Sequence, residues 1–162
     1  MTAHVSASPN EQNFRESSIR TRSTVALAGM FGYELDLTKI TEEERAGVIK
    51  YMEIARDIED VVRQGDLYRL LSPHTGSVYA WMFVSQDKTR AVLSATNSHY
   101  FELVYSFPRV RLAGLNPAYT YELNWGHDQN PMVLSGATLM AAGIMADFYG
   151  DGGSAIIRLN AI

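Results

Sequence analysis

One segment, residues 41–64, places the strongest constraint on how this chain can fold. It starts with Thr41-Glu42-Glu43-Glu44, the pattern of a capping box, in which a Thr side chain and a Glu three residues later each accept a hydrogen bond from a free backbone amide. Gly65 follows the segment and is a common helix stop. The apolar residues between these ends recur at helical spacing, at Val48, Tyr51, Met52, Ala55, Ile58 and Val62. The sequence predicts one amphipathic helix that must pack against an apolar surface.

The part of the chain before this helix reads as alternating strands and helices. Residues 3–8 alternate like a strand, residues 9–18 are polar and loop-like, and Ser17 or Ser18 can cap a short helix. The apolar run within residues 24–30 predicts a second strand, buried on both faces. A strand followed by an amphipathic helix is half of a βαβ unit, which needs a parallel sheet. Two strands are too few to form that sheet.

The pattern changes at Gly65, because short strands then follow one another with turn residues between them. "VYAWMFVS" and "RAVLSATN" flank "QDKT" and predict a β-hairpin. Further short apolar or alternating runs continue to the end of the chain, which is typical of an antiparallel sandwich. The predicted fold class is therefore an α/β segment over residues 1–65 and an all-β antiparallel sandwich over residues 66–162.

Composition excludes several classes of partner. The 162-residue chain carries 14 Lys and Arg against 18 Asp and Glu, for a net charge of −4. This balance disfavours nucleic acid, which needs a basic surface. No apolar run approaches the ~18 residues of a membrane span, and no basic segment followed by an apolar stretch marks a signal peptide. The absence of cysteine fits a reducing compartment. We therefore expect a cytoplasmic protein with no nucleic-acid or membrane partner.

The titratable side chains form no obvious catalytic or metal-binding motif. The histidines, at positions 4, 74, 99 and 127, are scattered and lack ligand spacing, so we expect no metal and no cofactor. Glu34 and Asp36 are two residues apart and could share a strand face, as a pair of glycosidase carboxylates would. They also lie just before the start of a helix, where acidic residues commonly hydrogen-bond in turns. We therefore favour a structural role for both residues over a catalytic one.

Three aromatic residues, Tyr79, Trp81 and Phe83, recur at period two in a predicted strand. They could form a platform on which a sugar ring stacks, or one buried face of the sandwich. The buried face is favoured, but the platform keeps open an alternative function. In that alternative the chain is a stand-alone, non-catalytic module that binds carbohydrate or serves as a structural or interaction domain.

Several strings of the sequence together resemble a known enzyme family. They are "AHVSASPN", "RTRSTVALAGMFGYELDLTKITEEE", "GDLYRLLSP", "AWMFVSQDKTRAVL", "RLAGLNPAYTYEL" and "SGATLM". In this order they resemble the C-terminal end of bacterial α-galactosidases of glycoside hydrolase family 36. The resemblance covers essentially the whole chain.

This resemblance implies a fold. In the family a (β/α)8 barrel is followed by a smaller antiparallel C-terminal sandwich. Residues 3–8 would be the seventh barrel strand, residues 24–30 the eighth, and residues 41–64 the last barrel helix. Residues 66–162 would be the sandwich. The chain is then expected to be a fragment of a longer enzyme.

The resemblance also implies an activity that this chain does not carry alone. Family members are retaining glycosidases that remove terminal α-galactose from melibiose-type or raffinose-type sugars, using two aspartates in motifs that find no match here. No catalytic residue is therefore assigned, and the isolated chain is expected to be inactive. Homotetramers are common in the family. The candidate pocket-shaping residues are near the loops that follow the two barrel strands: His4, Ser6 and Asn10 near the first loop, and Phe31, Gly32 and Tyr33 near the second.

Overall fold

The computed structural model describes residues 1–98, 109–125, 131–145 and 152–162. Predictions that concern His99, His127 or the other intervening residues lie outside this range. The helices are α1 (Ile19–Ala26), α2 (Glu42–Gln64) and α3 (Gly136–Ala141). The strands are β1 (Thr2–Ser6), β2 (Met30–Glu34), β3 (Asp66–Leu71), β4 (Val78–Val84), β5 (Arg90–Asn97), β6 (Arg109–Val110), β7 (Thr120–Asn124), β8 (Met132–Ser135), β9 (Ile144–Met145) and β10 (Ser154–Ala161).

The first two strands and the helix between them form a βαβ unit. β1 and β2 are parallel and in register from Thr2 opposite Met30 to Ser6 opposite Glu34. α1 makes the crossover and begins at an N-cap, Ser18, whose hydroxyl accepts a hydrogen bond from the backbone amide of Thr21 at 3.1 Å. The predicted alternation of strand and helix before Gly65 is confirmed.

The position of the second strand was predicted wrongly. Residues 24–30 were expected to be this strand, but α1 continues to Ala26 and β2 starts only at Met30. The apolar run is the end of a short helix, and Ala26 and Leu27 are 3% exposed because they pack inward. A short apolar run has the same periodicity in a buried strand and in a buried helix end, so the pattern alone could not distinguish them.

The long helix α2 forms as the sequence predicts. Thr41 Oγ1 accepts a hydrogen bond from the Glu44 amide at 3.2 Å, and Glu44 Oε2 accepts one from the Thr41 amide at 3.4 Å. Gly65 ends the helix, with its amide bonded to the Val61 carbonyl at 2.9 Å. The most deeply buried residues of the helix are Val48, Tyr51, Ile58 and Val61.

The second part of the chain is built on a six-stranded antiparallel sheet in the order β3-β4-β5-β10-β7-β8. The predicted hairpin is β4 and β5, paired from Val78 opposite Asn97 to Val84 opposite Ala91. One face of this sheet is covered by the short β6–β9 pair, α3 and the adjoining loop, which together bury residues such as Leu93, Leu139 and Ile157. The predicted antiparallel sandwich is confirmed.

The opposite face of the sheet packs on the helices. Phe83 of β4 and Val92 of β5 share a cluster with Ile58 and Val61 of α2 and with Leu27 after α1. The βαβ unit and the sheet are therefore joined by a continuous apolar interface, and the sheet has a further core on its other face. Within the described ranges, no helix is both long and apolar enough to cross a membrane.

Candidate functional site

A cleft of about 560 Å³ lies where β1 and β2 end. Its walls come from the loop after β1, the end of β2 and the turn after it, α1, and the first turn of α2. Two of the predicted residues, Ser6 and Asn10, line it together with Arg22, Glu34 and Asp36. The carboxyl ends of parallel strands are where α/β folds usually place their ligands.

The two faces of the β1–β2 pair have different surroundings. Val5 is fully buried, and Phe31 and Tyr33 lie on the side of the pair that faces the helices. Phe31 and Tyr33 contact each other edge to face, with ring centroids 5.1 Å apart. The Tyr33 hydroxyl donates to the Val48 carbonyl of α2 at 3.0 Å, and burial raises the pKa of Tyr33.

The other face of the pair carries polar side chains. Successive strand residues point to opposite faces, so His4, Ser6, Gly32 and Glu34 share the face away from the helices. His4 Nδ1 lies 3.3 Å from Glu34 Oε2. A Cβ on Gly32 would lie 3.3 Å from His4 Cδ2, so the glycine leaves space for the imidazole ring. No described part of the chain packs a helix or sheet onto this polar face.

Arg22 organises the rim of the cleft, and sequence reasoning did not identify it. Its guanidinium donates to the Ser6 carbonyl at the end of β1, to the Ser17 carbonyl at 3.1 Å, and to Glu44 Oε1 at 2.7 Å. The Arg22 side chain is only 9% exposed. Arg22 therefore ties the end of β1 to the start of α2. The one sequence feature that could have indicated a partner for Arg22 was Glu44, and Glu44 was already assigned to the capping box.

Two further polar residues at the cleft, Asn10 and Asp36, hold turns with their side chains. Asn10 Oδ1 accepts hydrogen bonds from the amides of Gln12 and Asn13 at 3.0 and 3.2 Å. Asp36 Oδ1 accepts from the amide and hydroxyl of Thr38 at 2.9 and 2.6 Å, and these bonds hold the pKa of Asp36 below its usual value. These contacts agree with the structural role favoured for Asp36.

The structure brings some of the six candidate residues together and separates others. His4, Ser6 and Gly32 share the polar face, and Asn10 lies beyond its carboxyl end. Phe31 and Tyr33 are held against the helices instead. Whether any of the six contacts a sugar stays a prediction.

The three aromatic residues of β4 do not form an open platform. Phe83 is 7% exposed and belongs to the cluster shared with α2. Trp81 packs on the same cluster, and its buried Nε1 has no hydrogen-bond partner among the described residues. The favoured interpretation was a buried face of the sandwich. Phe83 is buried and Trp81 is partly buried, but both rings pack against α2 and not in the core of the sandwich.

A βαβ unit with a cleft at its strand ends, followed by an antiparallel β-domain, places the chain in the α/β class with an attached sandwich and is consistent with the end of a (β/α)8 barrel. Two family models match the chain in the same order: Melibiase over residues 1–65 and the glycosyl hydrolase family 36 C-terminal domain over residues 78–159. The chain belongs to glycosyl hydrolase family 36.

Its relatives are α-galactosidases. The α-galactosidase AgaA of Geobacillus stearothermophilus is 40% identical over 148 residues, which are 89% of this chain and 19% of that protein. Mel36A of Lactobacillus acidophilus is 42% identical over 122 residues, 75% of this chain and 16% of that protein. The chain thus spans about a fifth of the length of the curated relatives it matches.

Solved structures of the family have the same fold. AgaB of G. stearothermophilus superposes with a TM-score of 0.91 and 39% identity over 100% of this chain and 22% of that one. A variant of AgaA that was crystallised with raffinose gives a TM-score of 0.91 and 37% identity over the same shares. The predicted relationship to family 36 α-galactosidases is confirmed.

Proposed function

We propose that this chain acts as the C-terminal part of an α-galactosidase that removes terminal α-galactose from raffinose-type and melibiose-type sugars. The observation that carries the proposal is the match of the whole chain, at a TM-score of 0.91, to family 36 α-galactosidases, one of them in complex with raffinose. The polar face of β1 and β2 supports it, because it ends in a cleft at the strand ends.

In this proposal the chain supplies walls of the active site and the rest of the enzyme supplies the chemistry. Retaining hydrolysis needs a nucleophilic carboxylate and an acid/base carboxylate about 5–5.5 Å apart. Four described carboxylates line the cleft. Glu11 lies in the loop after β1, whereas Glu34, Asp36 and Glu44 are engaged by His4, by Thr38 and by Arg22 respectively. Their engagement in these contacts supports a wall-forming role rather than a catalytic one.

The β-domain has a supporting role in this proposal. Its sheet packs on α2 through Phe83 and Val92, and Arg90 and Arg158 bind acidic residues of the same helix. These contacts hold the last helix of the barrel segment in place. The homotetramer implied by the resemblance and the cytoplasmic location stay predictions.

The test uses a chromogenic α-galactoside with two proteins. We expect no turnover by the purified 162-residue chain, and turnover by a chimera in which this chain replaces the matching segment of AgaA. Activity of the chain alone would contradict the assignment of the chemistry to the rest of the enzyme. A folded chimera that binds raffinose but does not turn over the α-galactoside would contradict the proposed role of the chain.

A further inference from the structure

A second, smaller cavity lies on another side of the molecule, where α1, α2 and the sheet meet. Its volume is about 100 Å³. Basic side chains reach it from three elements: Arg20 from α1, Lys50 from α2 and Arg158 from β10. The described residues that line it include no Asp or Glu, although the chain as a whole has a net charge of −4. Basic side chains therefore outnumber acidic ones among the described residues that line this cavity.

A tyrosine hydroxyl adds a neutral donor to this cavity. Tyr51 lines it and is only 6% exposed, because its ring packs in the apolar cluster that joins α2 to the sheet. Burial raises the pKa of Tyr51, against the opposing effect of the nearby Arg20 charge, so the hydroxyl stays protonated and able to donate near neutral pH.

One of the two arginines is already held in position. Arg158 Nη1 donates to Asp57 Oδ2 at 2.9 Å, which neutralises part of its charge and fixes its side chain. Arg20, by contrast, makes no ion pair with a described carboxylate. The cavity thus has one oriented guanidinium, one guanidinium without an acidic partner in the described part of the chain, and one tyrosine hydroxyl.

We propose that this cavity is a binding site for a phosphate group, with Arg20, Arg158 and the Tyr51 hydroxyl as its donors. A phosphate offers several acceptor oxygens in a tetrahedral arrangement, which suits donors that line one cavity from three different elements. Guanidinium groups match phosphate geometry particularly well. The small volume restricts the bound part to the phosphate itself, so the source is either inorganic phosphate or a phosphate ester whose organic part remains outside.

The site would connect the two parts of the chain, because its donors come from α1, α2 and the sheet. A ligand that binds only the folded state raises the free energy of unfolding. Once the ligand concentration exceeds the dissociation constant, this increase grows with the logarithm of the concentration. Occupation by phosphate would therefore stabilise the junction between the barrel segment and the β-domain. This effect does not depend on the proposed glycosidase activity.

The test is thermal unfolding of the full chain with increasing inorganic phosphate, at an ionic strength kept constant with sodium chloride. We expect a saturable rise in Tm with phosphate, and none when acetate replaces phosphate. Glucose 6-phosphate, run in parallel, identifies the source. A rise with both ligands means that the phosphate group alone is recognised, and a rise with the ester alone means that the site prefers a phosphate ester.

Variants locate the binding on the structure. Arg20→Met keeps the aliphatic part of an exposed side chain, and Tyr51→Phe removes only the hydroxyl. Loss of one charge-assisted hydrogen bond should raise the phosphate dissociation constant about tenfold in Arg20→Met. Arg56→Met removes the same charge from an exposed position of α2 outside the cavity and should bind phosphate like the parent chain. The proposal is overturned if phosphate and chloride raise the Tm equally. It is also overturned if Arg20→Met or Tyr51→Phe binds phosphate with the same affinity as the parent chain.

Discussion

Arg90 of β5 binds Asp60 of α2 through a single nitrogen, Nη1, which donates to both carboxylate oxygens at 2.9 and 2.8 Å. Its second nitrogen donates to the Asp57 carbonyl at 2.6 Å. Asp57 in turn accepts from Arg158 of β10 at 2.9 Å. Two neighbouring strands of the sheet are therefore tied to one face of the helix, beside the apolar cluster that already joins them.

Removal of the Arg90 guanidinium should weaken this junction measurably. The Arg90 side chain is 33% exposed and that of Asp60 is 60% exposed, so solvent screens the pair and the effect is modest. We expect Arg90→Met to lower the free energy of unfolding by about 1 kcal/mol in urea titrations. Arg63→Met is the matched control, because the only ion pair that Arg63 makes with a described residue is with Glu59 of its own helix, at 3.8 Å. Equal losses in the two variants would show that the contact across the junction contributes nothing.

Gly65 should be intolerant of any side chain. A Cβ at this position would lie 2.4 Å from the Val61 carbonyl oxygen and 2.6 Å from that of Val84, so α2 and β4 would have to separate. We expect Gly65→Ala to destabilise the chain by about 1–3 kcal/mol, the usual cost of overpacking. Gly76→Ala provides the control, since a Cβ there meets no atom within 4 Å. A Gly65→Ala variant with the thermal stability of Gly76→Ala would contradict this close approach.

These two regions show how far the sequence predicts the fold. Gly65 was identified as a helix stop because glycine commonly follows a last turn, and the local pattern was sufficient for that. The contact of Gly65 with Val84 depends on the pairing of β3 with β4, in which the next residue, Asp66, lies opposite Val84. The local pattern around Gly65 does not encode that register. The same holds for Arg90, since its partners are 30 and 33 residues away in the sequence.

The candidate site was also predictable only in part. The alternation of β1 and the resemblance to family 36 located the cleft near Ser6 and Asn10. The resemblance did not reveal which face of each strand is polar, because that depends on the pairing of His4 with Gly32 and of Ser6 with Glu34. Arg22 was missed because its role comes from three acceptors in separate segments.

The hydrogen bonds of the capping box should contribute to the free energy of unfolding of the chain. Thr41→Ala removes the acceptor for the Glu44 amide, and loss of an N-cap typically costs about 1 kcal/mol. Thr41→Ser keeps the acceptor and should lose much less. The comparison is made by urea unfolding of both variants. The capping interpretation is wrong if Ala and Ser variants unfold at the same urea concentration.

Stability should fall in acid partly because of the hairpin turn between β4 and β5. Hydrogen bonds from the Ser85 hydroxyl and from the amide and hydroxyl of Thr89 lower the pKa of Asp87 from 3.8 to about 2. Because folding depresses this pKa, the contribution of Asp87 is complete above about pH 4 and is lost as the pH falls towards 2.

The variant Asp87→Asn tests this assignment by urea unfolding between about pH 7 and pH 2. We expect a lower stability than the parent at neutral pH and a smaller further loss below about pH 4. The residual loss comes from other carboxylates, among them Asp66, whose pKa is lowered by hydrogen bonds from Gln86 and Lys88. If the stability of Asp87→Asn falls as steeply in acid as that of the parent chain, the protonation of Asp87 does not contribute to the loss of stability in acid.

The two faces of the β1–β2 pair should respond differently to mutation in the active chimera with AgaA. His4 lies on the polar face and contacts Glu34, so His4→Ala should lower kcat/KM by about tenfold, as expected for one lost hydrogen bond. Tyr33 lies on the helix face, so Tyr33→Phe should lose about 1 kcal/mol of stability with its bond to Val48 while kcat/KM is unchanged. The measurements are steady-state kinetics on a chromogenic α-galactoside and thermal unfolding of each variant. If Tyr33→Phe reduces kcat/KM as much as His4→Ala does, the polar face has no special part in the active site.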